Sequence, residues 1–409
     1  MGLPHFNCSR YSLEEPSSVH QLHPSQIDVV AALGDSVSVA QAAESSSITD
    51  ILEQYPGVSF VTGGDVELNE QATLYNMFHQ FSPRIKGGSS DRIQKFYDFN
   101  LAVAGSFSHE LPAQAEKLSR TLKRKLGKEN LKTWKFLNIF IGHNDLCNIC
   151  NNMTLYGPET FGESIKKSLS IIESSIPNVF VNIMPPINVQ IHTQAHGASP
   201  FCELSHRKTC SCIFELDKWE YQKIKKQFDD QLKKVVNEFN EKSRNSNRIT
   251  VVIAPAMDLK SIPLLGNQSN VGLLALDCFH LSTIAHDIAA KQIWRGLFEP
   301  VTAKTVTDQL SVGFDRFVCP PAECPFLRTD RNSENCEPPK ELRFLPFVPG
   351  NTSVTLGMPP FLIPGFFIIA TAVILLFVRA SFRPPSSEFS DERRYLLLPI
   401  RADLNDNIF

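Results

Sequence analysis

Between residues 26 and 300, apolar runs alternate with amphipathic or polar stretches. Five of the runs read as strands: IDVVAALG (27–34), GVSFVTGG (57–64), KFLNIFIG (135–142), NVFVNIM (178–184) and RITVVIAP (248–255). They are rich in Val, Ile or Phe, and most stop at or just before Gly or Pro. Their near-continuous apolarity, without polar alternation, is the pattern of strands covered on both faces, as in a parallel sheet. Helical periodicity appears between them. Residues 111–127 carry Leu118, Leu122 and Leu126 at four-residue spacing. Residues 216–244 carry Trp219, Ile224, Phe228, Leu232, Val235 and Phe239 on roughly one face, with charges left for a solvated outer face. The alternation predicts a three-layer α/β domain over 26–300 with a mostly parallel sheet, preceded by a polar, irregular segment at 1–25.

Beyond residue 300 the pattern changes. Residues 301–353 lose strand patterning in their second half and become rich in Pro, Cys and polar residues, which reads as a stalk stapled by one disulfide, with one cysteine left for another partner. Residues 354–378 contain no charged residue. At about 1.5 Å per residue they can cross a hydrocarbon core of roughly 30 Å as one helix. Arg379, Arg383, Arg393 and Arg394 follow the span, so the positive-inside rule puts 379–409 in the cytosol and everything before the span outside, a type I topology at the plasma membrane. The opening MGLPHFNCSRYS does not have the basic-then-apolar pattern of a signal peptide, so the start is expected to be incomplete or processed. Its sixth residue, Phe6, also counts against myristoylation. In the tail, Glu392 followed by Leu396-Leu397 fits an acidic dileucine pattern, and Tyr395 to Leu398 fits Y-x-x-Φ; sorting adaptors are the partners these would take.

Composition refines this picture. A formal net charge of -3 gives no electrostatic footprint for nucleic acid. Ten cysteines and four N-x-S/T sequons, at Asn7, Asn152, Asn267 and Asn351, favour an oxidising, glycosylating compartment. A zinc site is the rival reading, since Cys147-x-x-Cys150 is followed by His192-x₃-His196. The gap from Cys150 to His192 far exceeds the roughly 12–15 residues of a zinc finger, so disulfides are expected.

The chemistry centres on LGDSVSVA (33–40), where Gly34-Asp35-Ser36 follow the first apolar run. These are turn residues, and they are also what would hold a nucleophile at the carboxyl edge of a sheet. A serine hydrolase needs a base, an acid to orient it, and donors for the developing oxyanion. Asp277 and His280 stand three apart in LLALDCFHLS, where one tight turn lets the Asp fix the imidazole tautomer. Gly105 follows the apolar run 101–104, and Gly142, Asn144 and Asp145 follow the strand ending at Ile141; either stretch is an ordinary turn or an oxyanion donor. Open α/β sheets bind ligands outside the carboxyl ends of their strands, so these motifs can converge on one crevice. Ser38 occupies the second glycine position of G-x-S-x-G, which excludes the α/β-hydrolase elbow.

Gly34-Asp35-Ser36, Gly105, Gly142-x-Asn144-Asp145 and Asp277-x-x-His280 resemble the four ordered blocks of the GDSL, or SGNH, hydrolase superfamily, with GDSV at the usual GDSL. The resemblance implies a flavodoxin-like α/β/α fold, Ser36 as nucleophile, His280 as general base and Asp277 orienting it. It also implies an oxyanion hole made by the Ser36 N–H, Gly105 and Asn144, and no metal or cofactor. PSSVHQLHPSQIDVVAALGDS, TGGD, LPAQA, FIGHNDLCNIC, DCFHLS and FLRTDRNS look like one catalytic repeat of the membrane-associated phospholipase B family, over about residues 16–333. That implies calcium-independent cleavage of acyl esters of phospholipids and lysophospholipids at a membrane surface. Esterase action on other lipid, sugar or short acyl esters, or a binding role for a catalytically weak surface glycoprotein, are the alternatives.

Overall fold

Four of the five apolar runs form one parallel sheet: β1 (Val29–Gly34), β2 (Lys135–Phe140), β3 (Val179–Met184) and β4 (Ile249–Ile253), hydrogen-bonded in that order. The computed structural model describes residues 1–345 except 5, 9, 92–94, 197–199, 311–316 and 338–342. Successive side chains of a strand point to opposite faces, and both faces are buried. Val30, Ala32, Phe136, Phe140, Phe180 and Val252 enter one core, together with α1 (Leu74–Phe81) and α7 (Thr283–Leu297). Val29, Ala31, Leu33, Leu137, Ile139, Val181 and Val251 enter the other, under α2 (Leu111–Leu126), α4 (Pro158–Ser175) and α6 (Lys218–Lys242). Leu118 and Leu122, on the predicted stripe of α2, are each 1% exposed. Burying a leucine to that degree is worth roughly 1.5–3 kcal/mol. Two shorter helices, α3 (His143–Asn148) and α5 (Pro200–Thr209), lie between these elements.

The free edge of β1 is closed by an irregular segment. Phe99 O accepts from Ala32 N (3.1 Å), while Leu101 N and Val103 N donate to Ala32 O and Gly34 O (2.9 and 3.0 Å). This segment runs parallel to β1, so the spatial order, counted in chain order, is 2-1-3-4-5.

The run at 57–64 is not a strand. Pro56–Val58 form a tight helical turn, and the carbonyls of Phe60 and Val61 accept from Leu74 N and Tyr75 N (both 2.9 Å), capping α1. Both side chains are fully buried, so the apolar run marked burial correctly while the backbone was used elsewhere. On α6, Ile224, Phe228, Leu232, Val235 and Phe239 face the core as expected, but Trp219 is 71% exposed. Tyr221 takes the inward position, its hydroxyl donating to Leu146 O at 3.0 Å.

Residues 1–347 form one compact unit. Leu3, Leu22 and Leu327 join the same core as α1 and α7. All ten cysteines pair: Cys8–Cys319, Cys147–Cys210, Cys150–Cys212, Cys202–Cys278 and Cys324–Cys336. Within 301–353, Cys324 pairs with Cys336, and Cys319 pairs outside that stretch with Cys8. Asn7, Asn152 and Asn267 are exposed. Asn351, the apolar span 354–378 and the tail with Glu392, Tyr395, Leu396 and Leu397 lie outside the described residues. Among the described residues no helix is long and apolar enough to cross a membrane.

Candidate active site

The site grows from the carboxyl ends of the strands. Gly34 closes β1 at φ 152°, and a Cβ there would meet Phe140 O at 2.1 Å, so glycine is required for β1 and β2 to end side by side. The chain then turns at once. Asp35 Oδ1 accepts from Val37 N (3.1 Å), and Ser38 N donates to Asp35 O (3.1 Å), which leaves Ser36 at the head of the turn with 6% of its surface exposed. No side-chain hydrogen bond engages the Ser36 hydroxyl among the described residues, and its N–H donates to none of their atoms.

Three side chains stitch this turn to its neighbours. Gln114, near the start of α2, accepts from Gly34 N (2.9 Å) and donates to Gly34 O (2.9 Å) and Ser106 Oγ (3.0 Å). Asn144 Nδ2 donates to Ser106 O at 2.9 Å. An amide nitrogen carries two protons, so one remains for another acceptor. Asp35 Oδ2 meets His143 Nδ1 at 2.7 Å, joining the turn to α3. Gly105, exposed and at φ 79°, has nothing within 4 Å of where a Cβ would sit, and its N–H also lacks a partner among the described residues. Below them, the buried Asp145 accepts from Ser108 N and Ser108 Oγ (2.8 and 2.6 Å). Burial pushes its carboxyl up to about 6, against the lowering effect of those two bonds.

Asp277 and His280 form a couple in a tight turn. His280 Nδ1 lies 2.5 Å from Asp277 Oδ2, while Asp277 Oδ1 accepts from Phe279 N and His280 N, both at 3.0 Å. Burial raises the Asp277 carboxyl, but the His280 ring and these donors outweigh it, and the net shift is downward. A carboxylate so held keeps the Nδ1–H tautomer and turns Nε2 outward. The couple connects to the serine turn through Thr283, whose N and Oγ1 donate to Ala43 O at 3.2 and 3.1 Å. Among the described residues no hydrogen bond joins Ser36 Oγ to His280 Nε2.

The structure thus links Asn144, through Ser106 and Gln114, to Gly34 in the turn that carries Ser36, and pairs Asp277 with His280. A model of the GDSL-like lipase/acylhydrolase family matches residues 30–293, which contain all five positions. The chain belongs to that family. Phospholipase B1, membrane-associated, of Homo sapiens is 32% identical over 333 residues, covering 78% of this chain and 22% of that protein. The Rattus norvegicus protein of the same name is also 32% identical over 333 residues, covering 78% of this chain and 23% of its own length. The match therefore spans about a fifth of these relatives. An esterase from Pseudoalteromonas sp. aligns over 66% of this chain and 95% of its own, at 10% identity and a TM-score of 0.33, a likeness too loose to carry an argument.

Sequence reasoning missed Gln114, His143 and Ser106 as parts of this hydrolase site. Gln114 had a signal: a polar residue in LPAQA, where the helix is otherwise turning apolar positions inward. His143 stood inside the quoted FIGHNDLC without a role. Nothing in the local sequence pairs it with Asp35, which is 108 residues away.

Proposed function

We propose that this chain is a serine esterase that cleaves acyl esters of glycerophospholipids and lysophospholipids through an acyl-enzyme. What supports the reading is a Ser36 whose hydroxyl and N–H, like the Gly105 N–H, meet no partner among the described residues, together with the spare proton of Asn144 and the Asp277–His280 couple. In this reading Ser36 Oγ attacks the acyl carbonyl while His280 Nε2 takes the hydroxyl proton. Asp277 fixes the ring and stabilises the imidazolium. The three donors receive the carbonyl oxygen as it becomes an oxyanion; each such donor typically contributes a factor of about 10²–10³ in rate. His280 returns the proton to the departing glycerol oxygen. A water, deprotonated by His280, then attacks the acyl-Ser36 ester; the acyl–Oγ bond breaks, His280 returns the proton to Ser36 Oγ, and the fatty acid leaves. The absence, among the described residues, of a hydrogen bond between Ser36 and His280 before substrate arrives is compatible with this mechanism, because catalytic hydrogen bonds commonly tighten only in the complex.

The lipid substrate rests on the phospholipase B1 relatives, and the strand order 2-1-3-4-5 supports the flavodoxin-like three-layer arrangement. A single-pass anchor at 354–378, with the catalytic unit outside the cell and 379–409 in the cytosol, completes the proposal. The test compares wild type with Ser36→Ala on phosphatidylcholine, lysophosphatidylcholine and short acyl esters, with free fatty acid quantified. Wild type is expected to release fatty acid from both lipids, and Ser36→Ala, expressed to the same level, from none. Full activity in the alanine variant refutes the nucleophile; turnover confined to short esters refutes the lipid substrate.

A further inference from the structure

The turn that carries Asp277 and His280 is held in a conformation it would not keep by itself. Cys278, between them, sits at φ 61°, a left-handed conformation that a side chain bearing a Cβ adopts at a cost of about 1–2 kcal/mol. Such residues persist where the surroundings over-determine them. Three restraints converge here. The Cys202–Cys278 disulfide ties the turn to α5. His206, on the same helix and fully buried, has its Nε2 2.8 Å from Cys278 O. His192, 6% exposed, has its Nε2 2.8 Å from Phe279 O. The His192 ring also stacks on Phe279 (4.6 Å between centroids), which meets the His280 ring edge-on at 5.3 Å.

Proton accounting makes these contacts specific. Burial lowers His192 to about 4 and lowers His206, so both rings are neutral at physiological pH and each carries one N–H. His206 resolves cleanly: Nε2–H donates to Cys278 O, and Nδ1 accepts from His196 Nε2 at 2.9 Å. His192 faces two carbonyls with a single proton, Val189 O on Nδ1 and Phe279 O on Nε2, each at 2.8 Å.

We infer that His192 and His206 are positioning residues for the hydrolytic reaction, each using an Nε2–H to hold a backbone carbonyl between Asp277 and His280 and so fix the His280 ring relative to Ser36. The inference rests on the proposed role of His280 as base. Neither histidine touches the reacting atoms; they act through the turn. Slackening the turn misdirects the imidazole without altering substrate contacts, so kcat falls while KM holds.

Glutamine places its amide nitrogen at the depth of Nε2, and asparagine at the depth of Nδ1, which gives the test. The full chain and its His192→Gln, His192→Asn, His206→Gln and His206→Leu variants are assayed for kcat and KM on a soluble nitrophenyl ester, and for the rate of Ser36 labelling by a fluorophosphonate. Both Gln variants are expected within about threefold of wild type. His192→Asn and His206→Leu are expected to lose about 10–100-fold in kcat with KM within twofold, the scale of a displacement near 1 Å. Should His206→Leu fail to fold, the His192 pair decides alone. Equal kcat for His192→Gln and His192→Asn, or the reverse order, overturns the inference while Ser36 still labels. A wild-type chain that neither labels nor turns over overturns the role of Ser36 and His280, and this inference with it.

Discussion

Gln114 is where a single substitution separates the frame of the site from its chemistry. Replacing it with leucine keeps the volume of a side chain that is 5% exposed and removes three hydrogen bonds. The losses are unequal. Gly34 N has no other acceptor among the described residues and becomes a buried orphan donor, which costs roughly 1–3 kcal/mol. Gly34 O keeps Val103 N, and Ser106 Oγ keeps Glu110 Oε2, so each of those losses is worth about 0.5 kcal/mol. Gln114→Leu is therefore expected to lower unfolding stability by about 2–4 kcal/mol, measured as a shift of the urea midpoint at constant m-value. Ser106 O positions Asn144, so kcat should fall about tenfold or more, bounded by the 10²–10³ of deleting an oxyanion donor outright. Gln114→Glu keeps the acceptor for Gly34 N but sets a carboxylate against Gly34 O, and should be no better than leucine. Gln114→Leu within 0.5 kcal/mol of wild type with unchanged kcat would falsify the claim that this side chain frames the site.

Gly34→Ala drives a methyl group to within about 2 Å of Phe140 O and is expected to abolish recovery of folded protein, read by trypsin resistance and circular dichroism. Asp145, raised to about 6 by burial, binds a proton in the fold before it does in the unfolded chain, whose ordinary value is 3.8; its contribution is thus present at low pH and lost as pH rises through that window. Over pH 4 to 6 the wild type should lose about 2 kcal/mol relative to Asp145→Asn, measured by denaturant titration at each pH, and parallel curves would refute the burial argument. On α6, Tyr221→Phe should cost about 1 kcal/mol through the lost bond to Leu146 O, while Trp219→Ala should stay within about 0.5 kcal/mol; a reversed order would restore the inward tryptophan.

The sheet was legible because strands buried on both faces leave unbroken apolar runs, as at VVAALG and KFLNIF. The same signal failed at 57–64, since Phe60 and Val61 are as buried as any strand residue and only their carbonyls reveal the different use. Trp219 stands five residues before Ile224 and so points away from the stripe, whereas Tyr221, three residues before it in the same first turn of α6, is in phase and buried. For the site, turn chemistry at strand ends marked Ser36, Gly105 and Asn144, and the i, i+3 spacing marked Asp277 with His280. The supporting bonds were not legible. Asp35–His143 and Gln114–Gly34 join residues 108 and 80 apart, and His192 and His206 act on carbonyls, which have no sequence signature.

The disulfides bear on when this chain can act. Cys147–Cys210 and Cys150–Cys212 tie the helix bearing Asn144 and the residues just after it to the stretch around 210–212, and Cys202–Cys278 ties the Asp277–His280 turn to the helix just before that stretch. Each closes a loop of 62 to 76 residues, worth roughly 4 kcal/mol in a loop-entropy account. During synthesis Ser36 emerges long before any of these partners, and the acid–base couple emerges last. The oxyanion side and the proton-handling side are then fastened to one intervening segment by thiol oxidation. A ribosome-bound or cytosolic chain lacks those ties, so the proposed site would be fastened only where thiols are oxidised.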